Sequence, residues 1–224
     1  MVRDVINLKS KQERSEETKK NILNAAKKLF MTYGYESVTI RQIAKEAGCS
    51  HTAIYLYYKD KESLLHHLVM PLLQLLSQQM KNIIQLNEMD DWTKLKRLCS
   101  SFITFCLHHK SMYSTFMTAS ASRVDEEDPR LQINNVRIEI FQLLMQTLEN
   151  ALGLSDPRQS LAFARVLFYN LHGVISTYID NKEPLEDLTE RLSSTFDLSV
   201  EAMLLGLREI KKQGGKKDES RTNF

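Results

Sequence analysis

Apolar residues recur along most of this chain at the spacing of helices rather than of strands. In KKNILNAAKKLFMTY, residues 19–33, they fall at Ile22, Ala25, Ala26, Leu29, Phe30 and Tyr33 with lysines opposite, which predicts an amphipathic first helix. Thr18 is placed to cap its start, and Gly34 to end it as a left-handed residue. A second, short helix is expected behind Thr39 as N-cap, with Ile40, Ile43, Ala44 and Ala47 on its apolar side and Gly48 at its end. Ser50 caps a third, HTAIYLYY. Beyond residue 60 the runs lengthen. A fourth helix is predicted from about Lys61 through Ile84 on the set Leu64, Leu65, Leu68, Leu72, Leu75, Leu76, Met80 and Ile83, with Pro71 expected to kink or interrupt it. Further helices are expected near 92–109, 111–119, 129–152, 157–180 and 184–212; the last three begin with proline, which a first turn tolerates.

Composition agrees with this pattern. The 224 residues include 7 glycines and 4 prolines, and 104 glycine-free residues separate Gly48 from Gly153. Sheets need tight turns, so the expected fold class is all-α, with about nine helices. With 42% apolar residues there is material for a core. The expected organisation is a flexible N-terminal tail 1–14, a small helical head 15–62, a larger helical domain 63–212 and a flexible C-terminal tail 213–224. The segment SASRVDEED, residues 120–128, reads as a polar acidic loop.

No run of about 18 apolar residues occurs and the charged start lacks a signal-peptide core, so a soluble cytoplasmic chain with no membrane partner is expected. Cys49, Cys99 and Cys106 form no CxxC pair and read as reduced thiols. Charge is uneven: residues 1–62 carry 12 Lys/Arg against 8 Asp/Glu, net +4, whereas residues 63–207 carry 12 against 17, net −5. A basic end on an acidic body suits an anionic partner such as nucleic acid.

Two short helices joined by a glycine turn make a helix-turn-helix, whose second helix enters the DNA major groove. His51, Thr52, Tyr55 and Tyr57 offer hydrogen-bonding groups on that helix, flanked by the basic residues Arg41, Lys59 and Lys61. Such groups suit base edges and phosphates.

The string SVTIRQIAKEAGCSHTAIYLYYKDKESLL, residues 37–65, preceded by ILNAAKKLFMTYGY, resembles the DNA-binding region of the TetR/AcrR family of transcriptional regulators. The resemblance covers roughly residues 18–68. It implies a ligand-responsive regulator, a repressor by default, with three N-terminal helices for a palindromic duplex operator and a larger helical domain for a small-molecule effector and for homodimer contact. By position it puts His51, Thr52 and Tyr55 at the groove, with Ser50 before them, Tyr57, Lys59 and Lys61 near phosphates, and Thr39 and Arg41 approaching from the second helix. Ile40, Ile43, Ala47, Ala53, Ile54 and Tyr58 would form the core behind them. Thr52 stands where many members have glycine, which leaves the operator sequence open because a side chain replaces bare backbone at the DNA surface, and Cys49 stands where many have valine, a small buried apolar substitution.

The last two helices carry more apolar surface than a monomer needs, and the family packs this pair against its symmetry mate; Ala164, Gly173, Ser176 and Gly206 would permit close approach. An effector pocket is expected among Phe102, Phe105, Tyr113, Phe116, Met117, Phe141, Met145, Phe168, Tyr169 and His172, with Thr104, His108, Gln142 and Asn170 as further polar groups. Few charges interrupt these faces, which favours an apolar or aromatic effector.

The alternative is a metal- or redox-responsive regulator with the same head. Adjacent histidines, 66/67 and 108/109, point about 100° apart on a helix and suit one metal poorly, while Cys99 and Cys106 lie about 10 Å apart along theirs. No metal or cofactor is expected. Neither a phosphate loop, a dinucleotide fingerprint, HExxH nor GxSxG occurs, so no enzyme activity is expected.

Overall fold

The computed structural model describes residues 2–111, 113–114 and 132–219, with residues 2–11 and 214–219 described by their backbone alone. Eight helices are assigned among the described residues: α1 (Val2–Tyr33), α2 (Ile40–Glu46), α3 (His51–Tyr55), α4 (Lys61–Ile84), α5 (Asp91–His108), α6 (Gln132–Leu152), α7 (Pro157–Tyr178) and α8 (Leu185–Glu219). The all-α expectation holds. The predicted helix near 111–119 lies largely outside the described residues, as does the acidic segment 120–128.

Two compact units divide the chain, Met1–Gln74 with Ser111–Asn135, and Leu75–Lys110 with Val136–Phe224. In the first, α1 packs on α2 and α2 on α3 around Ile22, Ala26, Phe30, Ile43, Ile54 and Leu64, all 0% exposed. Burying an isoleucine of this kind contributes roughly 1.5–3 kcal/mol, so a few residues fix so small a unit. Gly34 and Gly48, with φ of +78° and +67°, end their helices in the left-handed region as expected.

Helix α1 starts earlier than the periodicity predicts. Thr18 does not cap it: its Oγ1 donates to the carbonyl of Arg14 at 2.8 Å, one turn back within the helix. The upstream turns are polar and extend a helix already nucleated by its buried half. Pro71 does not divide the fourth helix. It lies inside α4 without interrupting it, and its ring is exposed, so the missing amide hydrogen costs one hydrogen bond on the solvent side.

In the second unit α5, α7 and α8 pack on one another. Asp90 caps α5 by accepting from the amide of Thr93 at 3.0 Å, and Asp156 caps α7 ahead of Pro157. Along α5 and α8 three pairs lie in antiparallel register: the Arg208 guanidinium 4.9 Å from the Trp92 ring, Lys96 with Glu201 at 2.6 Å, and Ser100 donating to Asp197 at 2.7 Å. Lysines close two helix ends. Lys211 donates to the carbonyls of Leu152 and Gly153 at 2.6 and 2.7 Å, and Lys110 to that of Asn181 at 2.5 Å.

Candidate nucleic-acid interface

The turn between α2 and α3 is set by two caps. Thr39 Oγ1 accepts from the amide of Gln42 at 3.3 Å while the Thr39 amide donates to Gln42 Oε1 at 2.8 Å, a reciprocal capping box. Ser50 Oγ accepts from the amide of Ala53 at 3.0 Å and starts α3. These local bonds aim α3, because they satisfy amides that no helix residue reaches. Lys28 of α1 reaches Glu46 at 2.5 Å and ties the end of α2 back to the first helix.

The residues of α3 divide by face. Ile54 and Tyr58 are buried, as expected, with Ala53 half-buried, whereas His51, Thr52 and Tyr55 are exposed. His51 and Tyr55, one turn apart, meet edge to face with ring centroids 5.1 Å apart. Leu56 is 78% exposed beside them, an apolar side chain that the hydrogen-bonding criterion used on the sequence passes over. Thr39, Arg41, Ser50 and Lys59 are exposed as well, so the structure brings a polar, basic rim around α3. Tyr57 is half-buried; its hydroxyl receives a hydrogen bond from Ser15 at 3.4 Å. Cys49 is half-buried, and desolvation pushes its thiol up.

Lys61 turns inward. Its ammonium donates to the carbonyls of Tyr35 at 2.8 Å and Glu36 at 3.3 Å, and lies 4.3 Å from the Tyr35 ring centroid. Two of its three donors are therefore engaged by backbone carbonyls of this chain. No periodicity signals a contact between residues 26 apart.

The residues expected at an effector pocket separate. Phe116 and Met117 lie outside the described residues. Tyr113 is buried in the first unit. In the second unit Phe102, Phe105 and Phe141 are buried and Met145, Phe168 and His172 half-buried. Phe168 lies 6.2 Å from Phe141 edge-on and stacks with His172 at 6.1 Å and 4°. Tyr169 is 64% exposed, so it joins no interior set. Thr104, His108 and Gln142 are also exposed, and Asn170 donates to Ser199 at 3.0 Å.

The apolar excess of the last two helices sorts the same way. Phe163, Ala164, Leu167, Leu171, Ile175, Leu188, Phe196, Val200, Leu204 and Leu207 are buried within one chain. What remains outside is a row on each helix: Val166, Tyr169, Gly173 and Ser176 on α7, and Leu198, Ala202 and Leu205 on α8. A Cβ added at Gly173 or Gly206 would meet nothing within 4 Å.

Burial pushes the Cys99 thiol up to about 12 and the Cys106 thiol upward too, so neither is a reactive thiolate. Among the described residues no three His, Cys, Asp or Glu side chains are grouped to hold a metal, and no helix is long and apolar enough to cross a membrane.

A helix-turn-helix with a capped, polar-edged second helix defines a DNA-binding head. Residues 22–68 match the family model described as bacterial regulatory proteins, tetR family. The chain is 45% identical over 56 residues to the HTH-type transcriptional regulator AcrR of Shigella flexneri, covering 25% of this chain and 26% of the relative. It is 34% identical over 91 residues to the HTH-type transcriptional regulator HbdR of Aromatoleum sp. (strain CIB), covering 41% and 38%. The matches thus span about a quarter to two-fifths of the length of these curated relatives. Two solved structures share the fold. The TetR family transcriptional regulator PfmR from Thermus thermophilus superposes with a TM-score of 0.57 at 19% identity, covering 80% of this chain and 93% of that one. The ketosteroid transcriptional regulator KstR2 of Mycobacterium tuberculosis does so with a TM-score of 0.61 at 16% identity, covering 79% and 91%. Residues 22–68 are thus similar to the tetR family of bacterial regulatory proteins, and the curated relatives matched are named as transcriptional regulators.

Proposed function

We propose that the chain is a ligand-responsive transcriptional regulator, a repressor that binds a palindromic operator as a homodimer and is released by a small apolar or aromatic effector. One observation carries the DNA half: His51, Thr52 and Tyr55 stand exposed on a five-residue helix whose opposite side, Ile54, is 0% exposed. His51 and Thr52 read base edges, Tyr55 sets its ring against a thymine methyl, and Arg41 and Lys59 meet phosphates with release of counterions. The exposed rows Val166–Tyr169 and Leu198–Leu205 support a dimer, since a two-fold partner would remove both from water. Phe102, Phe141, Met145, Phe168 and His172 are the effector-contacting candidates of the second unit.

Operator and effector then favour different members of one ensemble, so each weakens the other's binding by the same factor. A gel shift of the chain with its own upstream region tests the reading. A discrete complex at nanomolar protein, dissolved by competing specific duplex but not by random duplex, is expected. Equal affinity for both duplexes overturns it.

A further inference from the structure

An open cleft of about 590 Å³ lies along the outward edges of α4 and α5 in the second unit. From α5 it takes Arg97, Ser101, Thr104 and His108, spaced i, i+4, i+7 and i+11, so that they form one continuous stripe. From α4 it takes Leu75 and Gln79, one turn apart. Phe105 closes the apolar part of the floor, and Leu75 is 46% exposed there, a large side chain that nothing in the unit covers.

The charges in this cleft are one-sided. No Asp or Glu lines it, and Arg97 makes no ion pair among the described residues, whereas its neighbour Lys96 is paired with Glu201. Ser100, on the edge of the cleft, donates to Asp197 at 2.7 Å. At the far end the His109 imidazole lies 4.4 Å from the Phe105 ring. Burial and then the charge of His108 hold its pKa below the ordinary value of 6.5. Between Arg97 and Thr104 the stripe runs roughly 10 Å at 1.5 Å per residue, passing over Leu75 and Phe105.

We propose that this cleft binds an amphipathic organic anion, a carboxylate carrying a medium-length alkyl tail. The carboxylate takes a bidentate bond from the Arg97 guanidinium with Gln79 beside it, and the tail covers Leu75 and Phe105. This site shares no residue with Phe102, Phe141, Met145, Phe168 and His172, the interior set proposed for the effector above, and it does not rest on the DNA-binding reading.

Octanoate is the probe, titrated calorimetrically into the full-length chain, with octan-1-ol as the uncharged control. One octanoate per chain is expected, with octan-1-ol at least tenfold weaker. Arg97→Gln should weaken octanoate at least tenfold, and Thr104→Trp, which fills the cleft from an exposed position, should abolish it. Both variants are checked for an unchanged melting temperature by circular dichroism. Absence of octanoate binding, equal affinity for the alcohol, or unchanged affinity in both folded variants overturns the proposal. Operator affinity is not part of the readout, so a failure to bind DNA leaves this test intact.

Discussion

Lys61 clamps the loop that follows the first helix from below Tyr35: its ammonium donates to the Tyr35 carbonyl at 2.8 Å while lying 4.3 Å from that residue's ring. The residue that opens α4 therefore holds the segment between α1 and α2. Lys61→Ala should lower the melting temperature of the head and weaken operator binding at every sequence. The slope of log affinity against log salt should stay within about half a unit of the parent, because a phosphate contact would remove about one. Gel shifts at several salt concentrations separate the two roles.

Ser50 has a structural task that another acceptor can perform. Ser50→Ala should lose about 1 kcal/mol of stability with the N-cap of α3. Ser50→Asp should keep the cap and the stability, yet bind operator more weakly than Ser50→Ala, since it sets a negative charge at the rim of a polyanion's site. Chemical denaturation and gel shifts on the same two variants check both halves. A Ser50→Asp variant that binds as tightly as the parent would remove Ser50 from the interface.

Base preference should lie with His51 and Thr52. Replacing either with alanine leaves Ile54 and Tyr58 buried, so the head should keep its melting temperature while the preferred operator changes at one or two positions per half-site, at about 1–3 kcal/mol each. Binding-site selection with the variants reads this directly. Selection of the parental operator by both would sink the assignment.

The exposed rows of α7 and α8 predict the assembly state. Tyr169→Glu and Leu198→Glu alter residues 64% and 65% exposed in the single chain, so neither should unfold it. Each should convert a dimer to a monomer in sedimentation at micromolar concentration. A parent that sediments as a monomer would defeat the dimer outright.

Acid should reveal one polar cluster. The Lys81 ammonium hydrogen-bonds Glu139, with Ser77 adding a hydrogen bond at 3.1 Å, and together they hold the Glu139 carboxyl below its ordinary value of 4.5. A carboxyl lowered on folding stabilises above its unfolded value, and that contribution is lost as the pH falls through the folded value. Glu139 is more than one-third exposed, so solvent screening limits the effect to less than about 1 kcal/mol. Glu139→Gln should therefore melt slightly below the parent at pH 7 and together with it near pH 3.

Features set by neighbours in sequence were legible before the structure. The bounds of α4, the caps Thr39 and Ser50 and the stops at Gly34 and Gly48 follow from spacing and from which residues tolerate a positive φ. So does the division of α3 into a buried and an exposed side. What escaped depends on residues far apart. The polar turns before Thr18 show no apolar period and are helical as an extension of a packed helix. The inward turn of Lys61 needs Tyr35, and the cleft needs Arg97 without an ion-pair partner among the described residues, which the sequence of α5 alone does not declare. Tyr169 reads as a pocket aromatic by composition and becomes a surface residue because Leu167 and Leu171 on either side take the inward positions.

The three pairs between α5 and α8, Trp92 with Arg208, Lys96 with Glu201 and Ser100 with Asp197, work like the teeth of a key. A slide of one turn could set Lys96 against Asp197 or Ser100 against Glu201, but it would part Arg208 from the Trp92 ring, and rotation of either helix would part all three. Helix α8 is thus locked in phase with α5. Its outward row, Leu198 and Leu205, presents one fixed face to whatever meets it, and any rearrangement within this unit has to be absorbed by the helices that carry no such teeth.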